Sequence, residues 1–318
     1  MAASYWDSTQ RHHWLFSKEE LAQMREKMEE NEQGIVQMFP LPQRRHLSIY
    51  FNQQLNRLGK RLGVRQQALA TAQIYLKRFY CKVEIRRTNP YLVIATALYL
   101  ACKMEECPQH IRLVVSEARA LWPVDVLLLD ISRLGECEFF MISEMHSHLI
   151  IHQPYRTLTS LQGDFFMSPE ETNLALSIVN DHYMTDLPLL YPPHIIALTA
   201  ILLGLVLRPN SPAGAATNLG SNIASATAVL LQSPSYSPHR NPLGGPPGVS
   251  AQERHQEARL TKLQRYAAFL TESTVDIEGM IDCTQELISF YECHELYNDK
   301  ITREQINRFV KARSLDKN

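Results

Sequence analysis

The sequence predicts an all-α chain containing two copies of one helical domain. Three observations carry this expectation. Apolar residues recur at helical spacing along nearly the whole chain, and no segment shows a convincing strand alternation. Helix starts are marked by capping and proline signals. Finally, a shift of 103 residues lays Ala68–Lys103 over 171–206 without a gap, so that Ala72 meets Ala175, Tyr80 meets Tyr183 and Pro90 meets Pro193. Thr96, Ala97 and Leu100 meet Thr199, Ala200 and Leu203 in the same register.

Taken in order, the elements have local reasons. A first helix over 17–33 starts at Ser17, with Glu20 three residues on as a capping box and Phe16 and Leu21 placed as a hydrophobic staple. Helices over 43–61 and 65–82 follow from periodicity. Asn89 as N-cap and Pro90 at the first helical position open a helix over 90–105. Helices are expected at 110–121 and 124–149, then a turn at Gln153-Pro154-Tyr155. Ser168-Pro-Glu-Glu171 repeats the capping logic for a helix at 169–184, and Pro192-Pro193 starts another at 193–207. The small residues alternating with Leu and Ile in 90–105 and 193–207 suit a central helix crowded on all sides. The last helices are read at 254–272, 276–293 and 302–313, the last opened by Thr302 with Gln305. Between two of them, Arg208 to Ser250 holds seven Pro, five Gly, seven Ser and no acid. That composition cannot bury enough apolar surface to offset chain ordering, so it reads as a disordered insertion.

Composition narrows the function. A chain of 318 residues has room for about two domains and a sizeable core. Its 32 basic and 33 acidic residues give a net charge of −1, against a primary nucleic-acid ligand, which calls for a basic excess. The longest apolar stretch, Ile195 to Leu207, is 13 residues, too short for a membrane span. The start lacks the apolar core of a secretory signal, and six cysteines at 81, 102, 107, 137, 283 and 293 have no framework spacing, so reduced thiols are expected.

Enzyme signatures for nucleotide binding, zinc peptidases or serine hydrolases are absent, so no catalytic residue, cofactor or metal is assigned. His146, His148 and His152 near Glu144 resemble a metal cluster only superficially. On a continuing helix His146 and His148 would point about 200° apart, and His148 with His152 lacks a third ligand. Lys103, ending a crowded apolar helix before Glu105 and Glu106, reads from pattern alone as a solvated end; Val206 holds its place in the second copy. Glu138 is likewise an acid flanked by apolar residues.

The runs Tyr75-Leu-Lys-Arg-Phe-Tyr80, Leu100-Ala-Cys-Lys-Met-Glu-Glu106 and Glu136-Cys-Glu-Phe-Phe140 resemble those of the cyclins. Ile150-Ile-His-Gln-Pro-Tyr-Arg156 and the start, Tyr5-Trp6 through Trp14-Leu-Phe16, are similar to transcriptional cyclins. The likeness covers nearly the whole chain outside 208–250. It implies two tandem five-helix cyclin boxes, at 43–152 and 153–315, after an N-terminal segment and helix at 1–42. It further implies a nuclear, non-catalytic subunit that activates a Mediator-associated cyclin-dependent protein kinase, with other Mediator kinase-module subunits as partners and neither direct nucleic acid nor membrane. The kinase-binding Lys of the family falls on Lys103 and the Glu on Glu138, with Glu136 as the register alternative and Glu106 beside them. Trp6 and Trp14 pack either on the chain's own first box or on the kinase. Arg44 to Tyr50 lacks the hydrophobic docking motif of cell-cycle cyclins. In the insertion, Ser233-Pro and Ser237-Pro suit a proline-directed kinase. A cyclin of the H type, or a cyclin-fold general transcription factor, is the alternative; the latter usually adds a zinc ribbon and a basic second repeat, and neither is present.

Overall fold

The computed structural model describes residues 4–122, 129–207 and 251–315. All regular structure among them is helical. The expected insertion, with Ser233 and Ser237, lies outside the described residues.

In chain order the helices are α1 (Thr9–His13), α2 (Lys18–Asn31), α3 (Gln33–Met38), α4 (Arg44–Arg61), α5 (Gln66–Tyr80), α6 (Pro90–Met104), α7 (Ile111–Leu121) and α8 (Ile131–Glu144). They continue with α9 (Tyr155–Leu161), α10 (Pro169–His182), α11 (Leu187–Leu190), α12 (Pro193–Val206), α13 (Ala251–Glu272), α14 (Ile277–Glu295) and α15 (Asp299–Leu315). The chain divides into two compact units, one of residues 1–153, 180–192 and 285–318, the other of 154–179 and 193–284.

Several starts are built as the sequence indicates. Ser17 Oγ accepts from Glu20 N at 3.1 Å while Glu20 accepts from Ser17 N at 2.8 Å. Ser168 and Glu171 make the same reciprocal pair at 3.2 and 2.7 Å. Asn89 Oδ1 accepts from Tyr91 N at 3.1 Å ahead of Pro90. The last helix starts earlier than expected, because Asn298 Oδ1 takes the amides of Lys300 and Ile301 while Thr302 is buried within it.

In the first unit α6 is the central helix, packed against α4, α5, α7 and α8. Its Ala95, Ala97 and Ala101 are fully buried, which lets four neighbours approach. Tyr50 and Tyr91 share a hydrogen bond of 2.7 Å within this core, and Tyr91 donates onward to Asn307 Oδ1 of α15 at 2.6 Å. In the second unit α12 holds the corresponding place, packed on α9 and α13. Thr96 Oγ1 donates to Leu92 O at 2.8 Å, and Thr199 Oγ1 to Ile195 O at 2.9 Å, the same bond at the 103-residue offset.

The helix expected at 124–149 ends at Glu144. Ser147 N donates to Ile142 O and His146 N to Ser143 O, both at 2.9 Å, with His146 and Ser147 at φ of 52° and 59°. This left-handed C-terminal cap needs no glycine here, and none marks it in the sequence. Residues 146–152 are therefore not helical, and helical spacing does not govern where their imidazoles point.

Candidate functional site

The surface at the C-terminal end of α6 and the middle of α8 brings Lys103 and Glu138 together. Lys103 sits in the last turn of α6, where its charge also complements the helix dipole. Its Nζ donates to Glu138 Oε1 at 2.8 Å and Oε2 at 3.0 Å. The ammonium also lies 4.4 Å from the Tyr99 ring centroid, one helical turn back on the same face. Partial desolvation opposes the charge, but the Glu138 carboxylate and Tyr99 outweigh it and raise the Lys103 pKa.

Glu138 is held by packing. Leu134, Cys137 and Met141 form the buried stripe of α8, which leaves Glu138 half-buried at its edge. The next two residues depart from that stripe. Phe139 is 76% exposed and Phe140 is 43% exposed, with Phe140 set edge-on to Phe79 at 5.3 Å. Met104 is exposed beside Lys103. An ion pair thus stands beside uncovered apolar side chains, the arrangement of a surface that gains from being covered.

The remaining candidates divide. Glu136 is exposed on α8 and is not the acid that meets Lys103. Glu105 accepts from Gln67 and Thr71, both at 2.6 Å, and so fastens α6 to α5. Glu106 faces solvent at φ 52°, as the left-handed residue that ends α6. Trp6 is 55% exposed, its ring 5.2 Å from the Arg11 guanidinium.

Trp14 lies in the core, 1% exposed. Its Nε1 donates to His148 Nδ1 at 3.2 Å, and its ring lies 4.9 Å from the buried Arg78 guanidinium, whose Nη1 donates to His148 O at 2.6 Å. Gln10 clamps the His152 backbone from both sides, accepting from its N at 2.7 Å and donating to its O at 3.2 Å. The aromatic start is therefore fastened to the first unit through Gln10 and Trp14, leaving Trp6 outward. Among the described residues no three His, Cys, Asp or Glu side chains are gathered as a metal site. No described helix is long and apolar enough to cross a membrane.

Sequence reasoning had not placed Tyr99, Met104, Phe139 or Phe140 in this surface. A signal for them exists: Tyr99 is i−4 from Lys103, and Phe139 and Phe140 fall off the apolar stripe of their helix.

Comparison with known proteins gives a consistent account. The family described as the cyclin N-terminal domain matches residues 13–149. An RNA polymerase II holoenzyme cyclin-like subunit of Neurospora crassa is 59% identical over 349 aligned residues, covering 100% of both chains. A protein of the same name in Gibberella moniliformis is 59% identical over 320 residues with the same coverage. Among solved structures, a chain of the Chaetomium thermophilum CAK complex bound to ATP-gamma-S is similar in fold at TM-score 0.60 and 19% identity, over 98% of this chain and 90% of that one. A chain of yeast TFIIK (Kin28/Ccl1/Tfb3) is similar at TM-score 0.57 and 16% identity, over 90% of this chain and all of that one.

Proposed function

Since the chain belongs to the RNA polymerase II holoenzyme cyclin-like subunits, we propose that it is a cyclin C, the non-catalytic regulatory subunit of the Mediator-module cyclin-dependent kinase. It works in the nucleus on RNA polymerase II transcription, with other subunits of that module as further partners. The observation that carries the reading is the Lys103–Glu138 pair beside half-buried Tyr99 and exposed Met104, Phe139 and Phe140. A kinase regulatory helix laid on this surface would cover the apolar side chains. The two fixed charges would then offer a donor and an acceptor to its backbone, which sets register more than bulk affinity. Glu106 and Glu136 stand at the edge of that footprint, and Trp6 supplies an exposed aromatic from the N-terminal segment. Trp14 contributes indirectly, by anchoring the segment that presents Trp6. Pressing the kinase helix inward would complete the Lys–Glu pair that orients ATP phosphates, so the chain activates without catalytic groups of its own.

The test is co-purification with the Mediator-type kinase, followed by kinase activity, for wild type and for Lys103→Ala with Glu138→Ala. The double variant should bind at least about tenfold more weakly. Its thermal stability should barely move, because an exposed ion pair contributes only ~0–1 kcal/mol. Equal binding by the two proteins removes these residues from the interface and shifts attention to Trp6. If wild type ignores this kinase but captures the kinase of a cyclin H, the subtype is the alternative transcriptional one.

A further inference from the structure

A second concavity in the first unit shares no residue with the Lys103–Glu138 surface. It is bounded by α2, α4, α5 and the stretch around Asp186, with Glu286 at its edge, and has a volume of about 80 Å³. That is room for roughly five waters, or for the end of one peptide side chain. Leu47, Phe51, Leu76, Tyr80 and Leu189 make it largely apolar. Its charges are unevenly matched. Arg25 grips Asp186 in a bidentate pair at 2.7 and 2.8 Å. Arg45 binds Glu286 at 2.8 Å and Ser289 at 2.7 Å, and Arg44 binds Glu29 at 2.7 Å.

The fourth cation, Lys77, has no hydrogen bond and no ion pair among the described residues. It is half-buried in the wall, where Asp186 and Glu286 attract it from further away while already held by arginines. Desolvation lowers its pKa, outweighing the pull of those more distant carboxylates. Asn52 and Gln73 also line the concavity. The Gln73 amide nitrogen donates to Asn52 Oδ1, and the Gln73 Oε1 is buried with no donor. One unpaired cation, one unpaired acceptor and an apolar wall are complementary to a peptide bearing a carboxylate, a backbone N–H and a hydrophobic side chain. A simple anion would use only the first of these, and the arginines at the rim disfavour a basic peptide.

We propose that this concavity docks an acidic peptide segment of a partner protein, with one side-chain carboxylate entering it to reach Lys77 Nζ and the flanking residues of the peptide resting on its rim.

The experiment is fluorescence anisotropy on the full chain with labelled Gly-Ala-Leu-Glu-Leu-Ala-Gly, its Gln counterpart and its phosphoserine counterpart. The Glu peptide should bind saturably and at least about tenfold more tightly than the Gln peptide, a difference of ~1.4 kcal/mol. Lys77→Met should erase that preference, and Ser48→Trp, which fills the concavity, should block all binding. Ser48→Trp gives the answer even if the Lys77 variant folds poorly. Lys103→Ala with Glu138→Ala should bind the peptide as wild type does, so failure here is distinct from failure of the kinase surface. Equal affinity for Glu and Gln, a preference that survives Lys77→Met, or no saturable binding overturns the proposal. A phosphoserine peptide that binds more than about tenfold better than Glu overturns the carboxylate assignment in favour of phosphate.

Discussion

His148 joins the N-terminal segment to the first unit through a nitrogen that must stay unprotonated. Its Nδ1 accepts the Trp14 indole N–H, its ring stacks on His13 at 4.8 Å, and the His146 ring is 6.1 Å away. Desolvation first, then His13, His146 and Arg78, hold its pKa below the ordinary 6.5. The sign follows from proton counting. Below pH 6.5 the unfolded chain takes up a proton that the folded chain resists, so the stability tied to this group is present above that pH and is lost as pH falls through the folded value. Protonation at Nδ1 also removes the acceptor for Trp14. The protection factors of the amides of residues 5–16, which allow for the intrinsic slowing of exchange in acid, should therefore fall on going from neutral to mildly acid pH, and His148→Phe should remove that fall. Protection factors in this segment that do not change with pH would show that the indole–imidazole bond is not what holds it. The Trp14 partner is not visible in the sequence, where His146, His148 and His152 read as histidines near a helix end, because the contact spans 134 residues. Family likeness singles out Lys103 and Glu138, whose pairing the structure shows, whereas nothing in the sequence singles out Lys77: a lone lysine in an amphipathic helix looks the same whether or not it has a counterion.

At the level of elements, the starts were easier to read than the ends. Capping boxes and proline-led starts are local and chemical, so Ser17, Asn89 and Ser168 announce them. The ends of α6 and α8 use Glu106 and His146 in the left-handed region, where glycine is usual. With no glycine to mark it, the end of α8 is silent in the sequence, and periodicity alone carries the helix on to 149. Replacing Glu106 by Gly should relieve the left-handed strain and stabilise the chain by about 1 kcal/mol, read as a rise in melting temperature. A fall would show that the Glu106 side chain contributes more than its backbone costs. Gly204 predicts the opposite sign. A Cβ there would stand 2.9 Å from Glu171 O and 3.1 Å from Ala175 Cβ, backbone and a short side chain that cannot swing away. Gly→Ala inside a helix normally gains about 1 kcal/mol. At 204 it should instead cost about 1–3 kcal/mol through overpacking of α12 on α10. Urea unfolding of Gly204→Ala measures this, and a gain in stability would mean that the two helices can separate without penalty.

On the scale of the molecule, the repeat was readable because it is periodic. Paired residues such as Ala72 and Ala175 are fully buried, and Thr96 and Thr199 make one bond twice. Which compact unit each stretch joins depends instead on contacts between residues far apart in the chain, for which a single sequence carries no periodic signal. Closure of the two units can be tested through their thiols. All six cysteines are free; Cys81, Cys102 and Cys137 are buried in the first unit, Cys283 is buried in the second, and Cys107 and Cys293 are half-buried. Burial pushes the Cys81 and Cys137 thiols up to about 11, and burial together with neighbouring Cys107 pushes Cys102 up to about 12. Thiolate is the reactive form, so at neutral pH these three are slow on two counts, low thiolate fraction and lack of access. Their modification should track opening of the core rather than encounter with reagent. A neutral maleimide should label Cys107 and Cys293 first, with the four buried thiols at least about tenfold slower until denaturant is added. Fast labelling of Cys283 alone would mean that the second unit opens while the first stays shut. Fast labelling of Cys102 as well would mean that the packing around α6, on which the placement of Lys103 rests, is not closed in solution.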